Sequence, residues 1–177
     1  MDADLSRRGH DLADAAVAQI ADRDDVVVVA HSFGGFTGPL VRARRPVRHL
    51  VFLTAMIPTP GEAPGDWWAN TGHAGDPAAD ADDEIAVFLH DVEPGTAAEA
   101  LRHGRPESDT PMGRPWPLPA VPTTFLLCRD DRYFPAEFPR RAVRERLGIE
   151  PVEMAGGHHP MLSRPVEPVD RLAAVTV

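Results

Sequence analysis

Val26-Val27-Val28-Val29-Ala30-His31-Ser32-Phe33-Gly34-Gly35 sets a serine directly after a valine run and just before two glycines. Four consecutive β-branched residues fit a strand buried on both faces, as in a parallel sheet. The glycines open a helix, so Ser32 falls on a tight strand-to-helix turn. A nucleophile on such a turn needs small residues two positions before and two after it, because larger side chains clash with neighbouring strands. Ala30 and Gly34 meet that need. The backbone N–H of Phe33 is then aimed at the place where an oxyanion would form.

Working outward, residues 5–21 carry Leu12, Ala16 and Ile20 at helical spacing with polar residues between, which predicts an amphipathic helix. The helix after Ser32 ends at Arg42-Ala43-Arg44-Arg45, before Pro46. Cations suit a helix C-terminus, so this cluster reads as a solvated, dipole-matched end rather than an anion site. Residues 49–53 and 123–128 read as further buried strands, and 151–154 as a short fourth. Residues 135–147 form a helix stopped by Gly148, and 165–175 a closing helix. Strands alternating with helices predict an α/β fold, a mostly parallel sheet flanked by helices.

Between the second and third strands lies a different kind of segment. Residues 57–118 hold nine of the 19 prolines and all three tryptophans. They also hold 12 acids against three arginines, a net of −9 that equals the formal charge of the whole chain. The segment is too long for a bare loop, and 84–89 and 96–103 look helical within it. It reads as an inserted helical cap, leaving 1–56 and 119–177 as the core. An acidic lid would discourage anionic substrates at the entrance.

Composition excludes several function classes. At 177 residues the chain suits one domain, and 43% hydrophobic with 25% charged residues is ordinary for a globular protein. The longest apolar run has five residues, far short of the roughly 18 of a membrane span. The acidic balance argues against nucleic-acid partners. Met1-Asp2-Ala3-Asp4 leads into no apolar leader segment, and the lone Cys128 fits a reducing, cytoplasmic setting.

A serine hydroxyl needs a base, and the base an orienting acid. Arg129-Asp130-Asp131-Arg132 follows the third strand, and Gly156-Gly157-His158-His159-Pro160 follows the fourth. Both are strand ends where such partners belong, and the order serine, acid, histidine is a workable one. From the residues alone either aspartate and either histidine could serve. Ser32 could instead cap a helix, and the aspartates could be turn acids. Adjacent histidines point apart, which argues against a metal pair. His31, Trp67 and Trp68 are candidate substrate contacts, though the two tryptophans could equally pack the cap.

Three stretches carry a family resemblance: His31-Ser32-Phe33-Gly34-Gly35, Asp131-Arg132-Tyr133-Phe134-Pro135-Ala136-Glu137-Phe138, and Gly157-His158-His159-Pro160-Met161-Leu162-Ser163-Arg164-Pro165. The chain resembles the α/β-hydrolase superfamily, and within it small esterases similar to plant methylesterases and hydroxynitrile lyases. The resemblance implies Ser32 as nucleophile, His158 as general base, Asp131 as the acid and no cofactor. The reaction it implies is hydrolysis of a small-molecule ester through an acyl-enzyme. Lyase members carry a Lys after the histidine, where this chain has His159, so cyanohydrin cleavage is the less favoured outcome.

One departure accompanies the resemblance. Family members place several strands before the nucleophile strand, and a loop among them supplies a second oxyanion donor. This chain begins at the helix before the nucleophile strand, which predicts a partial fold with its first strands missing. Loss of one oxyanion donor costs about 3–4 kcal/mol, roughly 10²–10³ in rate. A catalytically impaired fragment, or a ligand-binding remnant, is therefore the alternative reading. The uncovered apolar edge also predicts self-association.

Overall fold

The computed structural model describes residues 5–62, 64–74, 83–104 and 121–175. Four short strands form its centre: β1 (Val27–His31), β2 (His49–Leu53), β3 (Thr123–Cys128) and β4 (Val152–Met154). They lie in the order β1-β2-β3-β4, every pair parallel. Parallel neighbours cannot be joined by hairpins, so each connection crosses a face of the sheet and carries helices. The α/β architecture read from the sequence is the one observed.

Strand periodicity divides the core in two. Leu50 and Phe52 point to one face with Phe125 and Leu127, where Val143 of α6 (Glu137–Leu147) covers them. Val51 and Leu53 point to the other with Leu126, Cys128 and Met154, covered by Leu172 of α8 (Val166–Val175). Each fully buried Leu, Val or Phe contributes about 1.5–3 kcal/mol. α6 ends on Gly148 at φ +67°, a left-handed stop that favours glycine.

Two expectations are corrected at the N-terminal side. β1 is the edge strand of the described sheet, with a neighbour on one side only, which is the uncovered edge the family resemblance implies. Its valines are not buried on both faces: Ala30 is buried, Val27 and Val28 are half-buried, and Val29 is 42% exposed. α1 (Leu5–Ile20) packs on α2 (Gly38–Arg44) through Ala13, Ala16, Val17 and Ile20, against Leu40 and Val41. Leu12 faces water, because the contact stripe keeps Ala16 and Ile20 but is completed by Ala13 and Val17.

The insert between β2 and β3 carries α3 (Pro64–Thr71), α4 (Glu84–Phe88) and α5 (Pro94–His103). Asp83 caps α4 by accepting the Ala86 N–H at 3.0 Å, and Glu93 caps α5 by accepting that of Thr96 at 2.9 Å. α3 was not anticipated from the sequence. Residues 63, 75–82 and 105–118 of the predicted cap lie outside the described residues, as do 1–4, 119–120 and 176–177. The near end of the insert belongs to the core: Ile57 packs among the sheet residues, and Arg146 of α6 donates to the Ile57 carbonyl at 2.7 Å and to buried Glu62 at 3.0 Å. Among the described residues no helix is long and apolar enough to cross a membrane.

Candidate active site

The candidate serine, aspartates and histidines sit at the C-terminal ends of the parallel strands, where the chain leaves the sheet and its side chains converge. After β1 the chain turns sharply through a single 3-10 segment, Ser32–Phe36. Ser32 adopts φ +51°, a left-handed conformation costly for a residue with a side chain. The turn is held by the Met56 N–H, which donates to the Ser32 carbonyl at 3.0 Å.

The steric logic of this elbow is displaced from the expected position. A Cβ on Gly34 would meet nothing within 4 Å, so the glycine two after the serine is not required by packing. One on Gly35 would lie 1.8 Å from the Met56 carbonyl oxygen. One on Gly38 would lie 2.9 Å from the Ala30 Cβ and 3.1 Å from Leu50 Cδ1. The small residues that let the turn close are therefore Ala30, Gly35 and Gly38.

The loop after β4 brings His158 over this turn. Its Nε2 lies 2.9 Å from Ser32 Oγ, and its Nδ1 lies 2.9 Å from Asp131 Oδ2. With Nδ1–H donating to the carboxylate, Nε2 is left to accept the serine proton. Asp131 is 3% exposed and His158 1%. The carboxylate is fully engaged: Oδ2 also accepts the Thr54 hydroxyl, and Oδ1 accepts the Tyr133 and Phe134 amides at 2.8 and 3.0 Å. Burial pushes the Asp131 carboxyl up, but the His158 hydrogen bond and charge, the Thr54 hydroxyl and the Phe134 amide outweigh it and hold the group below its usual range.

Asp130 does a different job. Its Oδ2 accepts the Gly156 N–H at 2.9 Å and its own N–H donates to the Gly156 carbonyl at 3.1 Å. It staples the β3 and β4 loops together, while Asp131 faces the imidazole. The Phe33 N–H lies in the first turn of the 3-10 segment, where helical N–H groups have no intrahelical acceptor.

A model described as the alpha/beta hydrolase family matches residues 2–172 of this chain. The chain belongs to that family. Among solved structures, this α/β-hydrolase is similar to polyneuridine aldehyde esterase, with 18% identity, TM-score 0.77, and coverage of 96% of this chain and 78% of that one. A pyrethroid hydrolase from Sphingobium faniae JZ-2 matches at 21% identity and TM-score 0.68, covering 97% of this chain and 77% of that one. An extracellular alpha/beta-hydrolase from a Paenibacillus species matches at 17% identity and TM-score 0.70, covering 94% and 79%. No curated protein matches the chain.

Around the hydrolase's imidazole stands a shell of rings. Tyr133, Phe134 and Phe88 lie with centroids 5.2, 5.4 and 5.3 Å from that of His158. His31 packs between His158 and His159, at 5.1 and 5.0 Å, and its Nε2–H donates to the His158 carbonyl at 2.8 Å. That bond places His31 as a support of the histidine loop. Burial, then the charge of His158, pushes the His31 pKa down to about 4; the same two causes push His159 to about 4. Both imidazoles are neutral near pH 7.

The tryptophans separate. Trp67 is 1% exposed, donates its indole N–H to the Ile57 carbonyl at 3.1 Å and packs edge-on against Phe134 and Phe138. Of the two places open to it, substrate contact or packing, this burial favours packing. Trp68 is partly exposed and lies beside His73 and Tyr133. Sequence reasoning missed Thr54, which is buried at φ +38° and donates to Asp131. A signal was available, since Thr54 directly follows a strand end, as the acid and the base loops do.

Proposed function

We propose that this α/β-hydrolase cleaves a small carboxylic ester through an acyl-enzyme. The observation that carries the reading is the unbroken relay Ser32 Oγ, His158 Nε2, His158 Nδ1, Asp131 Oδ2, with 2.9 Å at each junction. Ser32 Oγ attacks the ester carbonyl carbon as His158 Nε2 takes its proton. The carbonyl oxygen becomes the oxyanion, and the Phe33 N–H is the donor nearest the nucleophile in the chain. Collapse expels the alcohol, which takes the proton from His158. Water, deprotonated by the same nitrogen, then attacks the acyl carbon; the bond to Ser32 Oγ breaks, the acid leaves, and His158 returns the proton to Ser32. Asp131 stays ionised throughout, holding the Nδ1–H tautomer and the imidazolium.

The ring shell supports an apolar ester, since Phe88 and Tyr133 border the imidazole. Similarity to structures described as an esterase and as hydrolases points the same way. A cyanohydrin lyase reaction is disfavoured, because half-buried, neutral His159 offers no cation where lyase members carry a Lys. The test is p-nitrophenyl acetate turnover with Ser32→Ala. The expected loss in kcat is on the order of 10⁴-fold or more, with an initial burst of nitrophenolate from the unsubstituted protein. Equal rates for the two proteins would overturn the proposal. A folded protein that reacts with a serine-directed phosphonate only at the uncatalysed rate would favour the ligand-binding alternative.

A further inference from the structure

The loop that carries His158 is held at three places, and one of the holders comes from the insert. Gly156 sits at φ +110°, a conformation that side chains other than glycine's rarely adopt, and its N–H is accepted by Asp130 Oδ2. The next N–H, that of Gly157, is accepted by Asp91 Oδ2 at 2.8 Å. The carbonyl of His158 itself accepts from His31. Asp91 lies in the turn between α4 and α5, 66 residues away in sequence from the glycine it holds.

Two neighbouring bonds show that this is an anchored contact. His90 Nε2–H donates to the Asp130 carbonyl at 2.9 Å, and Arg132 Nη1 donates to the Ala86 carbonyl at 3.0 Å. The turn thus grips the acid loop and the base loop together. The approach is close enough to dictate residue 157: a Cβ there would lie 2.7 Å from Asp91 Oδ1 and 2.9 Å from His90 Nε2. Asp91 Oδ1 is itself buried and has no hydrogen-bond partner among the described residues. One oxygen of this carboxylate is committed to the Gly157 peptide while the other is shut away from water.

We infer that Asp91 is a positioning residue for the general base: it fixes the Gly156–Gly157 peptide, one residue before His158, and so sets the imidazole between Ser32 and Asp131. Misplacement of a reacting group by about 1 Å costs roughly 10²-fold in rate, so small play in this peptide is kinetically visible. The inference rests on the ester-hydrolase reading for its rate measurement and not for its spectroscopic one.

The experiment compares Asp91→Ala, Asp91→Asn and Gly157→Ala in the full chain. Asp91→Ala is expected to lower kcat for p-nitrophenyl acetate by about 10-fold to 100-fold, with KM changed less than about threefold. Asp91→Asn keeps an oxygen able to accept the Gly157 N–H and is expected to restore most of the loss. Gly157→Ala drives the carboxylate off by its added methyl and is expected to reproduce the loss; it carries the test if Asp91→Ala does not fold. The downfield proton resonance of His158 Nδ1–H, assigned by its absence in His158→Gln, is expected to broaden or vanish in Asp91→Ala and persist in Asp91→Asn. Unchanged kcat together with an undisturbed resonance in Asp91→Ala would overturn the inference, as would Asp91→Asn being as damaged as Asp91→Ala. If the unsubstituted protein hydrolyses no ester while its resonance is present and lost on Asp91→Ala, the ester reading fails and the positioning role stands.

Discussion

Gly34 and Gly35 are adjacent, share one side-chain type and sit in one turn, yet adding a methyl to each has opposite consequences. In Gly35→Ala the new Cβ falls 1.8 Å from the Met56 carbonyl oxygen, against 3.4 Å for ordinary contact. Roughly 1.6 Å must therefore open between two backbones. Neither yields easily. Met56 is buried among Phe36, Trp67 and Phe134, and its N–H is already bonded to the Ser32 carbonyl at 3.0 Å. Overpacking of this kind costs about 1–3 kcal/mol, and at about 2–4 °C per kcal/mol for a domain of this size Tm falls by about 2–12 °C. The strain also reaches the reaction, because Ser32 lies three residues upstream. Shifting its Oγ by even about 1 Å from His158 Nε2 predicts a kcat loss of roughly 10²-fold. Gly34→Ala meets open space and has no positive φ to violate. It should hold or raise Tm, since Ala restricts the unfolded chain by about 0.4–1 kcal/mol. Thermal melts of the two variants, paired with p-nitrophenyl acetate kinetics, read both effects. A Gly35→Ala protein with unaltered Tm and kcat, or a Gly34→Ala protein as destabilised as Gly35→Ala, would refute the reasoning.

Thr54→Val removes one of four donors to the buried Asp131 carboxylate and should cost about 1.5–3 kcal/mol in urea melts, with Thr54→Ser restoring most of it. Arg146→Met leaves buried Glu62 without its cation and should cost about 3–5 kcal/mol; adding Glu62→Met should recover most of that in the double variant. The pH dependence follows from His31 and His159, whose pKa values of about 4 in the fold compare with 6.5 for the free side chain. Above pH 6.5 both are neutral folded or unfolded, whereas between pH 6.5 and about 4 only the unfolded chain takes up the protons, so stability should fall as pH drops through that window. Denaturation midpoints across the window should show this slope, and His31→Gln, which can still donate to the His158 carbonyl, should flatten it.

What could be read from the chain is what depends on neighbours close in sequence. The strands at 49–53 and 123–128 are apolar runs bounded by turn residues, and Gly148 stops α6 because a left-handed residue is a local need. α3 has the same kind of stop in Gly72, at φ +63°, but no apolar stripe that marks its length. It opens on Pro64-Gly65, and what secures it is burial of Trp67 against Phe134 and Phe138, contacts made 67 and 71 residues away. The four valines by themselves do not mark β1 as an edge, since they look alike whether one side of the strand or both are paired; the family resemblance is what marks it.

The site divides along the same line. That Ser32, Asp131 and His158 come together was legible because in a parallel sheet every strand delivers its following loop to one end, so residues just after strands converge whatever the details of packing. Choosing between Asp130 and Asp131 needs a quantity that adjacent positions do not encode, namely which carboxylate collects the Tyr133 and Phe134 amides and which the Gly156 amide. Gly35 and Asp91 lie beyond local reading altogether, and Thr54 is marked only by its place directly after a strand. Each matters through a partner on another loop: the Met56 carbonyl, the Gly157 amide and the Asp131 carboxylate. Chemistry-bearing side chains are thus found by topology, whereas the groups that hold them within a fraction of an ångström are found only by packing. The second set is therefore where substitutions distant in sequence should alter kcat while leaving every member of the relay in place.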